Sequence, residues 1–321
     1  MKHLNKQMIY SLLVVAGAGV GISPSNAAAV PSKTNVKMTV TASVAEGKRM
    51  PDISAADVVV QRGKQRLRVT GMVPAQGVHA GLDLFIVIDD ASAPTLGGQL
   101  DDLRKFINAQ PSTTAVGVGY MRNATVEVAQ GLTTDHAKAA NALRLPLGYA
   151  GAYGSPYLSA VDLMKRWPDS HNRREIVMIT DGIDRAGRSF GVWRGLRVNS
   201  DVESASKVAQ RTGTIIHTIY APAIGRSHHN YWEATSGQME MARLSDQTGG
   251  ESFYLGLQAP VSFSSYLDQL QKTLDNQYLL SFSAVPEKKP GLQRVKLSTP
   301  IAGVELNSHD AVWVPASRQA E

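Results

Sequence analysis

Five side chains could do chemistry together: Asp89, Asp90, Ser92, Ser155 and Asp181. All of them offer oxygen, and oxygen ligands suit a hard cation such as Mg²⁺. Asp89 and Asp90 end the apolar run 84–88. Asp181 follows the apolar run 176–179 and Thr180. Ser155 opens a helical pattern behind Gly151-Ala152-Tyr153-Gly154. In an open α/β sheet, strand ends meet at the crevice where ligands bind. A cation held there keeps a coordination position open for a partner's carboxylate. The competing reading is structural: these groups cap helices and accept backbone amides at turns.

Other chemistry has less behind it. His228 and His229 are adjacent in a loop, and His217 lies on a strand, but zinc needs further ligands at defined spacing. Ser204 and Lys207 form Ser-x-x-Lys on a helix, without the later motifs of penicillin-binding enzymes. There is no Gly-x-Ser-x-Gly elbow. Tyr231 and Trp232, with Tyr153 and Tyr157, are read as packing residues. The alternative is that they anchor an interface.

The elements that position the acids alternate in type. Residues 84–88 and 176–179 are continuous apolar runs, the habit of strands buried on both faces. Strands are also expected at 114–120, 126–128, 214–220 and 253–255. Helices are expected at 100–107, 135–145, 155–167, 201–211, 239–248 and 264–274, with a long loop over 221–236. Such alternation predicts a doubly wound, mostly parallel sheet with helices on both faces. The flanks read as β: a strand at 36–44, a hairpin over 56–69 turning at Gly63, and a tail of short strands after residue 277. These flanks are expected to form a small β module. No internal repeat is found.

Whole-chain properties narrow the class. The chain has 321 residues and no cysteine, which excludes disulfides, thiolate metal sites and cysteine catalysis. Lys2 and Lys6, the apolar run 8–22 and Ser25-Asn26-Ala27-Ala28-Ala29 read as a signal peptide, cleaved after Ala27 or Ala29. Gly17, Gly19 and Gly21 fall inside it and are no nucleotide fingerprint. The formal net charge of +6 drops to +4 once Lys2 and Lys6 leave, and the basic residues are scattered. That is a solvated surface, not a nucleic-acid footprint. Nothing after the leader is long and apolar enough to span a membrane.

The strand Ile86-Val87-Ile88-Asp89, the start Gly154-Ser155-Pro156-Tyr157-Leu158-Ser159-Ala160 and the run Ile176-Val177-Met178-Ile179-Thr180-Asp181-Gly182 resemble a von Willebrand factor A-type domain. The flanks Met50-Pro51-Asp52-Ile53, Leu244-Ser245-Asp246 and Gln277-Tyr278-Leu279-Leu280 are similar to the acidobacterial "VWFA-related" proteins. The resemblance implies a Rossmann-like A-domain fold and binding of macromolecules rather than catalysis. It also implies a metal-ion-dependent adhesion site: Asp-x-Ser-x-Ser, a threonine, and a Thr-Asp-Gly aspartate. In the Asp89 register Ala91 and Ala93 replace both serines. In the Asp90 register Ser92 fits and Pro94 replaces the second. The apolar run stops at Ile88, which favours Asp89. Ser155 stands in the threonine's place, and Asp181 matches. The site is therefore read as degenerate, with no cofactor expected and Mg as the alternative.

The expected organisation is a signal peptide at 1–29, an N-terminal β segment at 30–80, an A-like domain at 81–276 and a C-terminal β segment at 277–321 that packs on the first. The expected function is a secreted or periplasmic, non-enzymatic protein-binding module with an unknown envelope partner. The alternatives are a Mg-dependent adhesion domain and a hydrolase with an unrecognised site.

Overall fold

The computed structural model describes residues 33–45, 47–148, 154–185, 200–223, 231–254, 256 and 260–316. The expected signal peptide at 1–29, Tyr153, His228 and His229 lie outside the described residues. Among the described residues no helix is long and apolar enough to cross a membrane.

The central strand is β4 (Leu82–Asp89), with all eight residues buried. β1 (Thr34–Val44), β2 (Val59–Arg62) and β3 (Gln65–Pro74) precede it. After it come α1 (Leu100–Asn108), β5 (Thr114–Arg122), β6 (Thr125–Thr133), α2 (His136–Asn141), α3 (Pro156–Lys165) and β7 (Arg173–Thr180). Then follow α4 (Ser200–Thr212), β8 (Thr214–Tyr220), α5 (Tyr231–Thr248), β9 (Ser252–Phe253) and α6 (Ser264–Asp275). The tail holds β10 (Gln277–Ala284), β11 (Gly291–Arg294), β12 (Lys296–Ser298), β13 (Val304–Ser308) and β14 (Ala311–Val314).

One sheet runs β6-β5-β4-β7-β8-β9. β4 is parallel to both β5 and β7, and β7-β8-β9 continue parallel. Only the edge strand β6 is antiparallel. Alternation along β4 sends its side chains to opposite faces. Leu84, Ile86 and Ile88 pack with α1 and α6 through Leu103, Ile107 and Leu270. Phe85 and Val87 pack with α3, α4 and α5 through Tyr157, Val202 and Leu244. Both faces are thus covered, as parallel sheets require.

The flanks interleave into a second, antiparallel sheet, β12-β2-β3-β10-β1-β13. It is not small: it has as many strands as the central sheet, and β12 approaches β13 so that it curls towards closure. The expected turn at Gly63 is there, with φ of +57°. The second sheet encloses its own core around Val40, Val60, Leu280 and Phe282. Polar contacts tie it to the central sheet. His309 Nε2 lies 3.0 Å from the Thr214 carbonyl, and Asp310 donates its N–H to the Gln247 carbonyl at 3.2 Å. The described residues form one compact unit.

Two expected elements need correction. The loop expected over 221–236 is helical from Tyr231 onward, since α5 is 18 residues long. Gly237 suggests a break, but it is a packing residue. A Cβ there would sit 2.2 Å from the Asp181 carbonyl oxygen, so the close approach requires glycine. The helix expected over 135–145 ends at Asn141. The chain beyond it extends, carrying Arg144 towards Asp90.

Candidate functional site

Asp89 and Asp181 meet where the strand order reverses, between the ends of β4 and β7. Each already has its oxygens engaged. Asp89 Oδ1 accepts the Ala91 N–H at 2.9 Å, and Oδ2 accepts the Thr180 hydroxyl at 2.7 Å. Asp181 Oδ1 accepts the Ile183 N–H at 3.0 Å. The guanidinium of Arg185 forks onto both Asp181 oxygens. The Arg185 side chain is 16% exposed, and its backbone N–H reaches the Gly154 carbonyl at 3.3 Å. A fixed cation thus sits among the acids, supplied by the chain itself.

The charges set one another's protonation. Burial first, then the neighbouring Asp181, pushes the Asp89 carboxyl up to about 6, against the pull of the Ala91 amide, the Thr180 hydroxyl and Arg185. Burial works to discharge Arg185, but Asp181 and Asp89 overcome it and hold the guanidinium charged.

The other candidates separate. Asp90 is fully buried and turns away from Asp89. Arg144 grips it bidentately at 2.7 and 3.0 Å, and the Leu147 N–H adds a third bond at 3.2 Å. The Arg144 guanidinium also lies 3.6 Å above the Tyr120 ring. Ala91, not Ser92, lines the strand-end crevice beside Asp89, Ser155 and Arg185. Ser92 is buried, and its hydroxyl has no hydrogen-bond partner among the described residues. Ser155 caps α3, accepting the Leu158 N–H at 3.4 Å, and bonds the Asp201 carboxyl. The crevice encloses about 10 Å³. That is barely room for one water.

These residues do not fit a divalent cation. The alanine side chain has no ligand oxygen, Asp90 is committed to Arg144, and the Asp181 oxygens face a guanidinium. Among the described residues no group of three or more His, Cys, Asp or Glu side chains could hold a metal. Arg185 and Arg144 are the partners of these acids that sequence reasoning missed.

The remaining candidates have structural partners. His217 is buried, with Nε2 2.8 Å from Glu175 and Nδ1 accepting the Glu251 N–H at 3.1 Å. Ser204 donates to the Ser200 carbonyl, and Lys207 pairs with Glu203. Tyr157 is buried and donates to the Gly182 carbonyl at 2.6 Å. Tyr231 and Trp232, read as packing residues, are instead exposed, at 60% and 79%. Their rings meet edge to face at 5.8 Å.

No family model matches the chain, and no curated protein does. Solved structures do. An aerotolerance-related membrane protein from Bacteroides fragilis NCTC 9343 is 13% identical, over 61% of this chain and 99% of its own, with TM-score 0.42. BatB from Bacteroides thetaiotaomicron is 12% identical, over 60% and 97%, at 0.40. The SpRpn10 VWA domain is 14% identical, over 58% and 94%, at 0.39. The sheet itself decides the fold. Counted within the domain its order is third, second, first, fourth, fifth, sixth, with an acid closing the first strand and another just beyond the fourth, at the reversal point. This is the fold of von Willebrand factor A-type domains. In this chain the strand-end crevice is filled from within.

A pH dependence follows. Asp89 binds its proton more tightly folded than unfolded, so the folded state loses stability as pH rises from about 4 to about 6. Asp89→Asn keeps an acceptor for Ala91 and a partner for Thr180 but removes the charge. Its stability at pH 8 should exceed the wild type's by on the order of 2 kcal/mol. Urea midpoints at pH 4 and pH 8 check this; the same pH profile in both proteins would refute it.

Proposed function

We propose that this chain is a non-enzymatic, protein-binding A-type module with a degenerate metal site, exported to the cell envelope and related to the acidobacterial "VWFA-related" proteins. The observation that carries the reading is Arg185. Its guanidinium neutralises Asp181 and faces Asp89, in the crevice where a cation would need those oxygens. Ala91 lines the same crevice without an oxygen to offer. Binding then rests on side chains at the rim. Tyr231 and Trp232 start α5, and Glu233 beside them acts electrostatically on Arg185. Exposed tyrosine and tryptophan are the residues that anchor protein interfaces.

Thermal shift with Mg²⁺, Mn²⁺ and Ca²⁺ tests the metal part. The wild type should show no shift at millimolar Mg²⁺. Ala91→Ser, Ala93→Ser and Arg185→Ala combined should gain one, because a bound ion stabilises by the logarithm of its saturation. A wild-type shift that Asp181→Ala abolishes would replace this reading with Mg-dependent adhesion. Trp232→Ala tests the binding part. It should reduce cross-linking to envelope proteins without changing the melting temperature.

A further inference from the structure

At the amino ends of the parallel strands, opposite the acidic crevice, lies a cleft of about 570 Å³ between the two sheets. That volume is in the range of small-molecule sites. Its charges are of one sign: Lys37 from β1, Arg173 and Arg174 from the start of β7, with His79 and His171 at its edge, and no carboxylate in the lining. The nearest acids are already engaged. Asp83 accepts from Ser170 at 2.6 Å and Asn172 at 2.8 Å; one Glu175 oxygen meets His217 at 2.8 Å, and the other faces Arg173 without a hydrogen bond.

Arg173 is the anchor. It is 9% exposed. Its Nη1 donates to Gln277, its Nη2 donates to the Ala80 carbonyl at 3.2 Å, and its Nε is buried with no partner among the described residues. The Glu175 carboxylate stands off at 3.9 Å. Burial pulls the Arg173 pKa down, with only Glu175 and Asp275 opposing. A buried cation without a close counter-charge is costly unless something else supplies one. Neither Lys37 nor Arg174 makes an ion pair among the described residues. Beside these cations stands an apolar wall of Leu279 and Val78, the last 95% exposed.

We propose that this cleft binds a small anion: a phosphate or carboxylate head held by Lys37, Arg173 and Arg174, on an apolar body lying along Val78 and Leu279. The head supplies the close counter-charge that Glu175 offers only from 3.9 Å, and the body covers the exposed Val78 and the half-buried Leu279.

Calorimetric titration of the full chain with octyl phosphate tests it. Octyl phosphate should bind, and octyl glucoside and inorganic phosphate should each bind at least tenfold more weakly, one lacking the charge and the other the body. Lys37→Gln with Arg174→Gln should weaken octyl phosphate at least tenfold at an unchanged melting temperature, and the exposed single change Lys37→Glu should act in the same direction. Affinity should fall as salt rises. Flotation with phosphatidylglycerol against phosphatidylcholine vesicles separates the sources: selective retention assigns a lipid headgroup, and its absence assigns a free solute. Equal octyl phosphate binding by wild type, double variant and Lys37→Glu, or octyl glucoside binding as tightly as octyl phosphate, would overturn the proposal.

Discussion

Arg185→Ala is expected to cost about 3 to 5 kcal/mol of stability near pH 7.5, the range for breaking a buried ion pair by removing one partner. Asp181 and Asp89 are 2% and 7% exposed and lie close enough to raise the Asp89 pKa. Without the guanidinium they face each other uncompensated. The loss has a pH signature. Arg185 lowers the Asp89 pKa, so its removal raises that pKa above its present value of about 6. At pH 5 Asp89 then carries its proton and the repulsion fades, so the deficit should shrink as pH falls. Arg185→Lys restores charge without the two-pronged fork and should recover only part of the loss. Urea unfolding at pH 5 and pH 7.5 provides the check. A loss below about 1 kcal/mol, equal at both pH values, would show that the guanidinium is not the counter-ion.

Asp90→Ala is expected to cost about 3 kcal/mol. The carboxylate is fully buried and takes three donors, two from Arg144 and one from the Leu147 amide. Arg144 is 35% exposed, so water recovers part of its loss, but the Leu147 amide loses its acceptor. The segment after α2 is held by this clamp and by Tyr120, whose hydroxyl donates to the Arg144 carbonyl at 3.1 Å and accepts the Arg144 N–H at 2.5 Å. Its release should appear as faster amide exchange over 142–148. The effect should be the same with and without Mg²⁺. A Mg²⁺-dependent loss would return Asp90 to the ligand set.

The central sheet was legible because β4 and β7 are apolar without interruption, and such runs have few other fates in a chain that alternates strand and helix. The acids were legible for the same reason: a carboxylate at the abrupt end of a buried strand stands out. Their partners did not. Arg144 reaches Asp90 across 54 positions, and its helix stops early to let it do so. Arg185 is four positions after Asp181, but outside a helix that spacing carries no rule. The start of α5 at Tyr231 was not legible because Pro222 and Gly225 give the stretch before it a loop composition. The antiparallel edge β6 and the size of the second sheet were missed because short alternating strands leave pairing partners open.

The place of β1 has a consequence for how the protein is made. Thr34 pairs with Ala284 and Val40 with Ser308, so both neighbours of this early strand come from the end of the chain. The parallel sheet draws on one continuous stretch and can assemble while the tail is still being synthesised. β1 must wait for nearly the whole polypeptide, and contacts of such long sequence separation form slowly. A chain interrupted before residue 277 leaves it without either neighbour, an open strand ready to pair with another copy.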